Sequence, residues 1–216
     1  MAESTHVIAD KHLVMLIGPT AVGKSTVMHA VVAQDNEFKR VLGFTTRPPR
    51  SNDEPGQYRY MSHQTVEELI AAGQVLQHVV NPANGHVYGT TGADYPGRYN
   101  VKDTLSRAVA DFRQLPFEST RVISLTVPAG PWHQWLDMRY PEPSTERTMR
   151  LREAKESIEW SLQQTASHTW LINQPGREND VAKSLIDMVR GGESQFSVPQ
   201  EAQKLLRLVN DLLSYN

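Results

Sequence analysis

Apolar residues first cluster as an unbroken run, LVMLI at 13–17, and an uninterrupted run of that length reads as a buried strand over His12–Ile17. Small and polar residues follow. A helix then follows the glycine loop, over Lys24–Val32. A second short strand is expected over Arg40–Thr46, before the turn-rich tract RPPRSNDEPGQ, whose prolines and glycine forbid regular structure. Ser62 can cap a helix running through Thr65–Ala72, with Val66, Leu69 and Ile70 on one face and Gly73 ending it. Gln74–Val80 and His86–Thr90 read as strands around a turn at Pro82–Gly85. Tyr99–Asp103 is a strand of weak composition, followed by a helix to about Leu115.

In the second half, RVISLTV at 121–127 is a β-branched strand, and Thr169–Ile172 a shorter one. Helices are expected over Trp132–Arg139, Thr145–Gln164 and Asn179–Arg190, the first two parted by the breaker-rich YPEPS. After Gly191-Gly192 a capping-box pair, Ser197 and Gln200, opens an additional C-terminal helix over 197–214. Its Leu205, Val209 and Leu212 share a face beside Leu206 and Leu213. Strands alternating with helices predict an α/β fold with a mostly parallel sheet, and 44–91 reads as an inserted second lobe within a single domain over 1–216.

Composition narrows the function more than the fold. Lys and Arg number 22 against 24 Asp and Glu, so no global basic field points to nucleic acid, and any anion must be held by local groups. With no cysteine, disulfides, thiol catalysis and cysteine-containing zinc sites are excluded together. The eight histidines lack ligand spacing and read as surface or satisfied core residues. No apolar run approaches the ~18 residues of a membrane span, and the N-terminus lacks the order of a signal peptide. A cytoplasmic protein without membrane partners, monomeric or homodimeric, is expected.

The stretch GPTAVGKST carries the first chemistry. Glycines let the chain wrap a phosphate closely with successive backbone N–H groups inward, and the following helix adds its positive end. Gly18, Pro19, Thr20, Ala21, Val22, Gly23, Lys24, Ser25 and Thr26 thus form a candidate ATP site. In it Lys24 bridges the β- and γ-phosphates and the Ser25 hydroxyl ligates Mg²⁺. The pattern lies between an expected strand and an expected helix, the context it requires.

A receiving side is needed for any phosphoryl group held there. In VLGFTTRPPR, Arg47 and Arg50 flank a stiff Pro48-Pro49 unit, and arginine forks match phosphate oxygens. Taken alone, such a loop reads as solvated surface. Together with GQYRY (56–60) and VYGT (87–90), however, it resembles the monophosphate-binding lobe of the guanylate kinase family. The resemblance implies a P-loop kinase core with an inserted monophosphate-binding lobe and a short lid over 131–150. It also implies phosphoryl transfer from ATP, with Mg²⁺, to a nucleoside monophosphate. Carried over residue by residue, the acceptor cradle falls on Arg47, Arg50, Tyr58, Tyr88 and Thr90, the lid arginines on Arg139 and Arg150, and the residue near the adenine on Asn173. Lys24, Arg139 and Arg150 then supply the cations around the transferring group.

Three positions depart from that family. Gly43 stands where it carries a serine, Gln77 where it carries a glutamate, and its paired-carboxylate strand is reduced to KDTLSRA, in which Asp103 remains as a base contact. A carboxylate accepts N1–H and N2–H of guanine together, whereas a glutamine offers one acceptor and one donor. GMP is the default acceptor by resemblance, and these positions open the specificity to another base. Two other readings stay open: a kinase of another small phosphate, such as a ribose bisphosphate, and a catalytically silent guanylate-kinase-like binding module.

Overall fold

A computed structural model describes residues 7–49, 53, 56, 58–81, 84–141, 143–164, 168–192 and 199–214. In chain order these form β1 (His12–Ile17), α1 (Lys24–Gln34), β2 (Phe38–Arg40), β3 (Phe44–Thr45), β4 (Arg59–Tyr60), α2 (His63–Ala71), β5 (Val75–Val80) and β6 (Val87–Thr91). There follow β7 (Tyr99–Asp103), α3 (Val109–Arg113), β8 (Ser119–Thr126), α4 (Ala129–Arg139), α5 (Thr145–Leu162), β9 (Thr169–Ile172), α6 (Glu178–Val189) and α7 (Pro199–Ser214). A five-stranded, mostly parallel sheet has the order β2-β7-β1-β8-β9, and a four-stranded sheet the order β4-β3-β6-β5. The α/β class read from the alternation is the observed one.

The chain makes two compact units. One draws on the segment up to Leu13, on Glu37–Asn100 and on Ala110–Thr120; the other on Val14–Asn36, Val101–Val109 and Arg121 onward. In the second unit Val14–Ile17 of β1 are fully buried, with Val27 and Val31 of α1, Ile123 and Leu125 of β8 and Leu185 of α6. Each such side chain contributes about 1.5–3 kcal/mol of burial. The histidine reading holds at His168, whose Nε2 lies 2.7 Å from the Ser124 hydroxyl and whose ring meets Trp160 and Trp170 edge-on. In the first unit Phe44, Val66 and Val87 form a separate cluster, with Met61 and Val75 packed against it.

Local signals explain most boundaries. Ser62 accepts the Thr65 N–H at 3.0 Å and starts α2, and Gly73 adopts the left-handed conformation (φ +67°) that ends it. Ser144 caps α5 in the same way through Arg147 N–H. Where the capping box at Ser197 and Gln200 was expected, Ser197 lies outside the described residues. The helix that follows is α7, which sets fully buried Ala202, Leu205 and Val209 against α5 and α4 of its own chain.

Two expectations fail. The single strand over Arg40–Thr46 is two: β2 in the five-stranded sheet and β3 in the four-stranded one. The break falls where Gly43 closes onto β6, a Cβ there standing 2.7 Å from the Gly89 carbonyl oxygen. The helix expected after Asp103 is a 3₁₀ turn over Ser106–Ala108 followed by the short α3. The weak strand Tyr99–Asp103 does form. Asn100 supports it by accepting the Gly97 N–H at 3.0 Å and donating to the Gly97 carbonyl at 2.8 Å, a contribution no propensity scale contains.

Candidate active site

The phosphate loop leaves β1 at Gly18 and enters α1 at Lys24. A Cβ at Gly18 would lie 2.6 Å from the Leu125 carbonyl oxygen. One at Gly23 (φ +87°) would lie 2.4 Å from Asn173 Nδ2, so both glycines are required by close approach. Ala21 takes a left-handed φ of +59° without being glycine, a strained choice that bends the loop. Side chains hold the loop's carbonyls. The buried Trp132 donates its indole N–H to Thr20 O at 2.9 Å, and Asn173, 1% exposed, donates Nδ2 to Val22 O at 2.9 Å. Because C=O and the next N–H point oppositely in a trans peptide, these anchors turn the Ala21 and Gly23 N–H groups the other way.

Lys24 Nζ donates to Gly18 O at 2.7 Å and Pro19 O at 2.9 Å, and lies 3.8 Å from Asp103. The ammonium is therefore folded onto its own loop, with three oxygens around it. Asp103 was expected against the acceptor base; the structure places its carboxylate beside Lys24. Ser25 is half-buried and Thr26 exposed at the first turn of α1. Asn173, expected near an adenine, spends its amide N–H on the loop; its Oδ1 is buried with no partner among the described residues.

The receiving side is built differently. Arg47 is 6% exposed; its Nη1 donates to Asp53 Oδ2 at 2.7 Å and to Pro48 O at 3.0 Å, and its Nη2 to Asp53 Oδ1 at 2.6 Å. Hydrogen bonding to Asp53, opposed by desolvation, raises its pKa and keeps it charged. The Tyr58 and Tyr60 rings lie 5.2 and 5.7 Å from the guanidinium carbon. Tyr88 meets Tyr58 edge-on at 5.9 Å, so Arg47, Tyr58 and Tyr88 come together. Thr90 is buried and accepts from the Tyr95 hydroxyl at 2.9 Å, a bond that commits one lone pair of the expected donor. Burial pushes the Tyr95 phenol well above its ordinary range. Gln77 pairs with Thr90 across β5 and β6, beside an irregularity between Val75 and Gln77. Arg50 lies outside the described residues.

Arg139 is exposed at the end of α4, over the Tyr140 ring at 5.8 Å. Arg150 in α5 donates Nη1 to Glu153 at 2.8 Å and stands 3.8 Å from Glu146. Between them Arg147 bonds the Tyr140 carbonyl and, at 2.6 Å, Asp137, fastening the end of α4 to the start of α5. Within the stretch 131–150, Trp132 and Leu136 are fully buried while Met138 and Met149 are exposed, so its beginning is core. Among the described residues no group of three or more His, Cys, Asp or Glu could hold a metal alone. Sequence reasoning missed Trp132, Asp53, Tyr60 and Tyr95. A lone tryptophan in a helix and an aspartate in a polar tract carry no local signal for the distant partners they find.

The family model for guanylate kinase matches residues 10–95. A guanylate kinase of Leifsonia xyli subsp. xyli is 27% identical over 191 residues, 83% of this chain and 70% of that protein. One of Listeria monocytogenes is 26% identical over 188 residues, covering 83% and 85%. A shorter match of 79 residues, to a guanylate kinase of Nostoc, reaches 38% identity over 36% of this chain and 39% of that protein. Among solved structures, guanylate kinase from Anaplasma phagocytophilum superposes with a TM-score of 0.54 over 93% of both chains at 15% identity, a likeness of fold alone. The family model covers both the phosphate loop and the arginine loop, and the Leifsonia and Listeria alignments extend the likeness well beyond it: over most of its length the chain is similar to guanylate kinases.

Proposed function

We propose that the chain is an ATP-dependent nucleoside monophosphate kinase, transferring the γ-phosphoryl group of ATP to the phosphate of a nucleoside monophosphate. The observation that carries this reading is the braced phosphate loop. Two glycines admit no side chain, two carbonyls are held by Trp132 and Asn173, and Lys24 is folded over the loop with donors ready to pass from carbonyl to phosphate oxygens. Catalytically silent modules have no need of such a loop. Phosphoryl transfer asks the protein for alignment and cations rather than covalent chemistry. Lys24 neutralises charge on the donor's outer phosphates, Arg139 and Arg150 add charge from α4 and α5, and Arg47 with Arg50, Tyr58, Tyr88 and Thr90 holds the acceptor phosphate. The Ser25 hydroxyl and the Asp103 carboxylate are hard oxygen ligands suited to Mg²⁺, which when bound screens the β- and γ-phosphate charge.

GMP is the acceptor by that similarity. A second reading, another base, is favoured by two observations on the acceptor side. Gly43 has no room for the serine hydroxyl that the resemblance would lead one to expect, because any Cβ meets the Gly89 carbonyl at 2.7 Å. Gln77 presents an amide, which pairs one donor with one acceptor and suits the N1/N6 edge of adenine better than the two donors of guanine. A coupled ADP-release assay with ATP, Mg²⁺ and GMP, AMP, CMP and UMP tests both. Turnover with a monophosphate supports the kinase reading, and the ranking of the four decides the base. No turnover with any of them refutes it.

A further inference from the structure

We infer that Asp53 is a positioning residue for Arg47, holding that guanidinium so that one two-donor edge faces the acceptor phosphate; the inference rests on the kinase reading above. A guanidinium carries five N–H groups, two on each Nη and one on Nε. In this structure Nη1 spends both of its hydrogens, one on Asp53 Oδ2 and one on the Pro48 carbonyl, and Nη2 spends one on Asp53 Oδ1. Among the described residues that leaves the Nε–H and the second Nη2–H. They lie side by side and nearly parallel, the spacing that matches two oxygens of one phosphate.

The surroundings make the placement fixed rather than incidental. Arg47 is 6% exposed and Asp53 11%, so each charge depends on the other, and an unpaired guanidinium here would be costly. Tyr60 donates its hydroxyl to Asp53 Oδ2 at 2.6 Å, fixing the carboxylate in turn. The Tyr58 and Tyr60 rings restrict the plane of the guanidinium. Asp53 occupies the end of the fork and the phosphate would take its side, so the two anions address different edges of one cation. An arginine with four side-chain torsions loses less freedom on binding when it is already held.

The test compares wild type, Asp53→Asn, Asp53→Glu and Tyr60→Phe as full chains, with melting temperatures recorded for all four. Steady-state kinetics use ATP and whichever of GMP, AMP, CMP and UMP is turned over best. Asp53→Asn should raise KM for the monophosphate about tenfold or more while KM for ATP holds. Asp53→Glu should recover part of the loss. Tyr60→Phe, which leaves the Arg47 pair intact, should raise the same KM by a smaller factor and keeps the question answerable if Asp53→Asn fails to fold. An unchanged KM in Asp53→Asn with active wild type overturns the positioning role and leaves the kinase reading standing. A lowered KM would make Asp53 a competitor of the phosphate instead, and also overturns it. So does a rise in both KM values together with a fall in melting temperature. Wild type inactive with all four monophosphates removes the kinase reading and this inference with it.

Discussion

The phosphate loop at 18–26 takes its shape from backbone held from behind, whereas the arginine loop at 44–60 takes its shape from side chains that grip one another. In the first, carbonyls of Thr20 and Val22 are tied to Trp132 and Asn173, and main-chain N–H groups turn the other way. In the second, Arg47, Asp53, Tyr58 and Tyr60 form a charged and aromatic cluster of side chains. A backbone site tolerates no change in conformation but reads only phosphate. A side-chain site can be retuned by substitution, and the departures at Gly43 and Gln77 fall on that side.

The largest effect should come from the one side chain on which the backbone site depends. Lys24→Ala should lower kcat by ~10³-fold or more while leaving the melting temperature near wild type, since the ammonium stabilises charge on the transferring group. Near wild-type turnover in that variant would break the comparison at its first term. Arg47→Ala should raise KM for the monophosphate by roughly 10- to 100-fold, from charge-assisted bonds of ~1.5–3 kcal/mol, with KM for ATP unmoved. A fall in ATP affinity instead would show that the two loops do not divide donor from acceptor.

Trp132→Phe sharpens the contrast from the other side. It keeps an aromatic ring but removes the indole N–H to Thr20 O together with part of the bicycle, so a carbonyl loses its partner and a small cavity opens, at a cost of about 1–3 kcal/mol or more in stability. The KM for ATP should rise and that for the monophosphate should not. The smallest effect is expected at Gln77→Glu, which should shift kcat/KM toward GMP by about fivefold or more where the side chain meets the base. Strong GMP preference in the wild type, unmoved by the substitution, would take Gln77 out of the base pocket. Gly43→Ser, which sequence comparison alone would pair with it, should instead cost stability, because β6 would have to move.

What could be read beforehand follows from the range over which each interaction acts. Periodicity and caps are local, so β1, α2 and β9 were legible to within a residue or two, including the Ser62 cap. The glycine–lysine spacing of the phosphate loop is local too. By contrast Trp132 acts over 112 residues of chain, and Asn173 over 151, on atoms no sequence window contains together. The split of 40–46 into two strands depends on how closely Gly43 meets Gly89, again a long-range fact. Asp103 was legible as a lone carboxylate, but its partner Lys24 lies 79 positions earlier, which only the folded sheet reveals.

The two compact units interleave along the chain: the first takes the segment up to Leu13, then Glu37–Asn100 and Ala110–Thr120, and the second takes the intervening stretches and all that follows Arg121. During synthesis the first unit thus lacks its final segment until residue 120 has been made, and the five-stranded sheet is not complete until β9 has appeared. Contacts of such sequence separation favour slow folding, through intermediates that expose apolar surface. The same interleaving sets a limit on modular engineering. Residues 44–91 look like a graftable insert, yet their unit is completed by strands and turns from elsewhere in the chain. A new acceptor specificity is better sought by substitution in place than by transplanting the lobe.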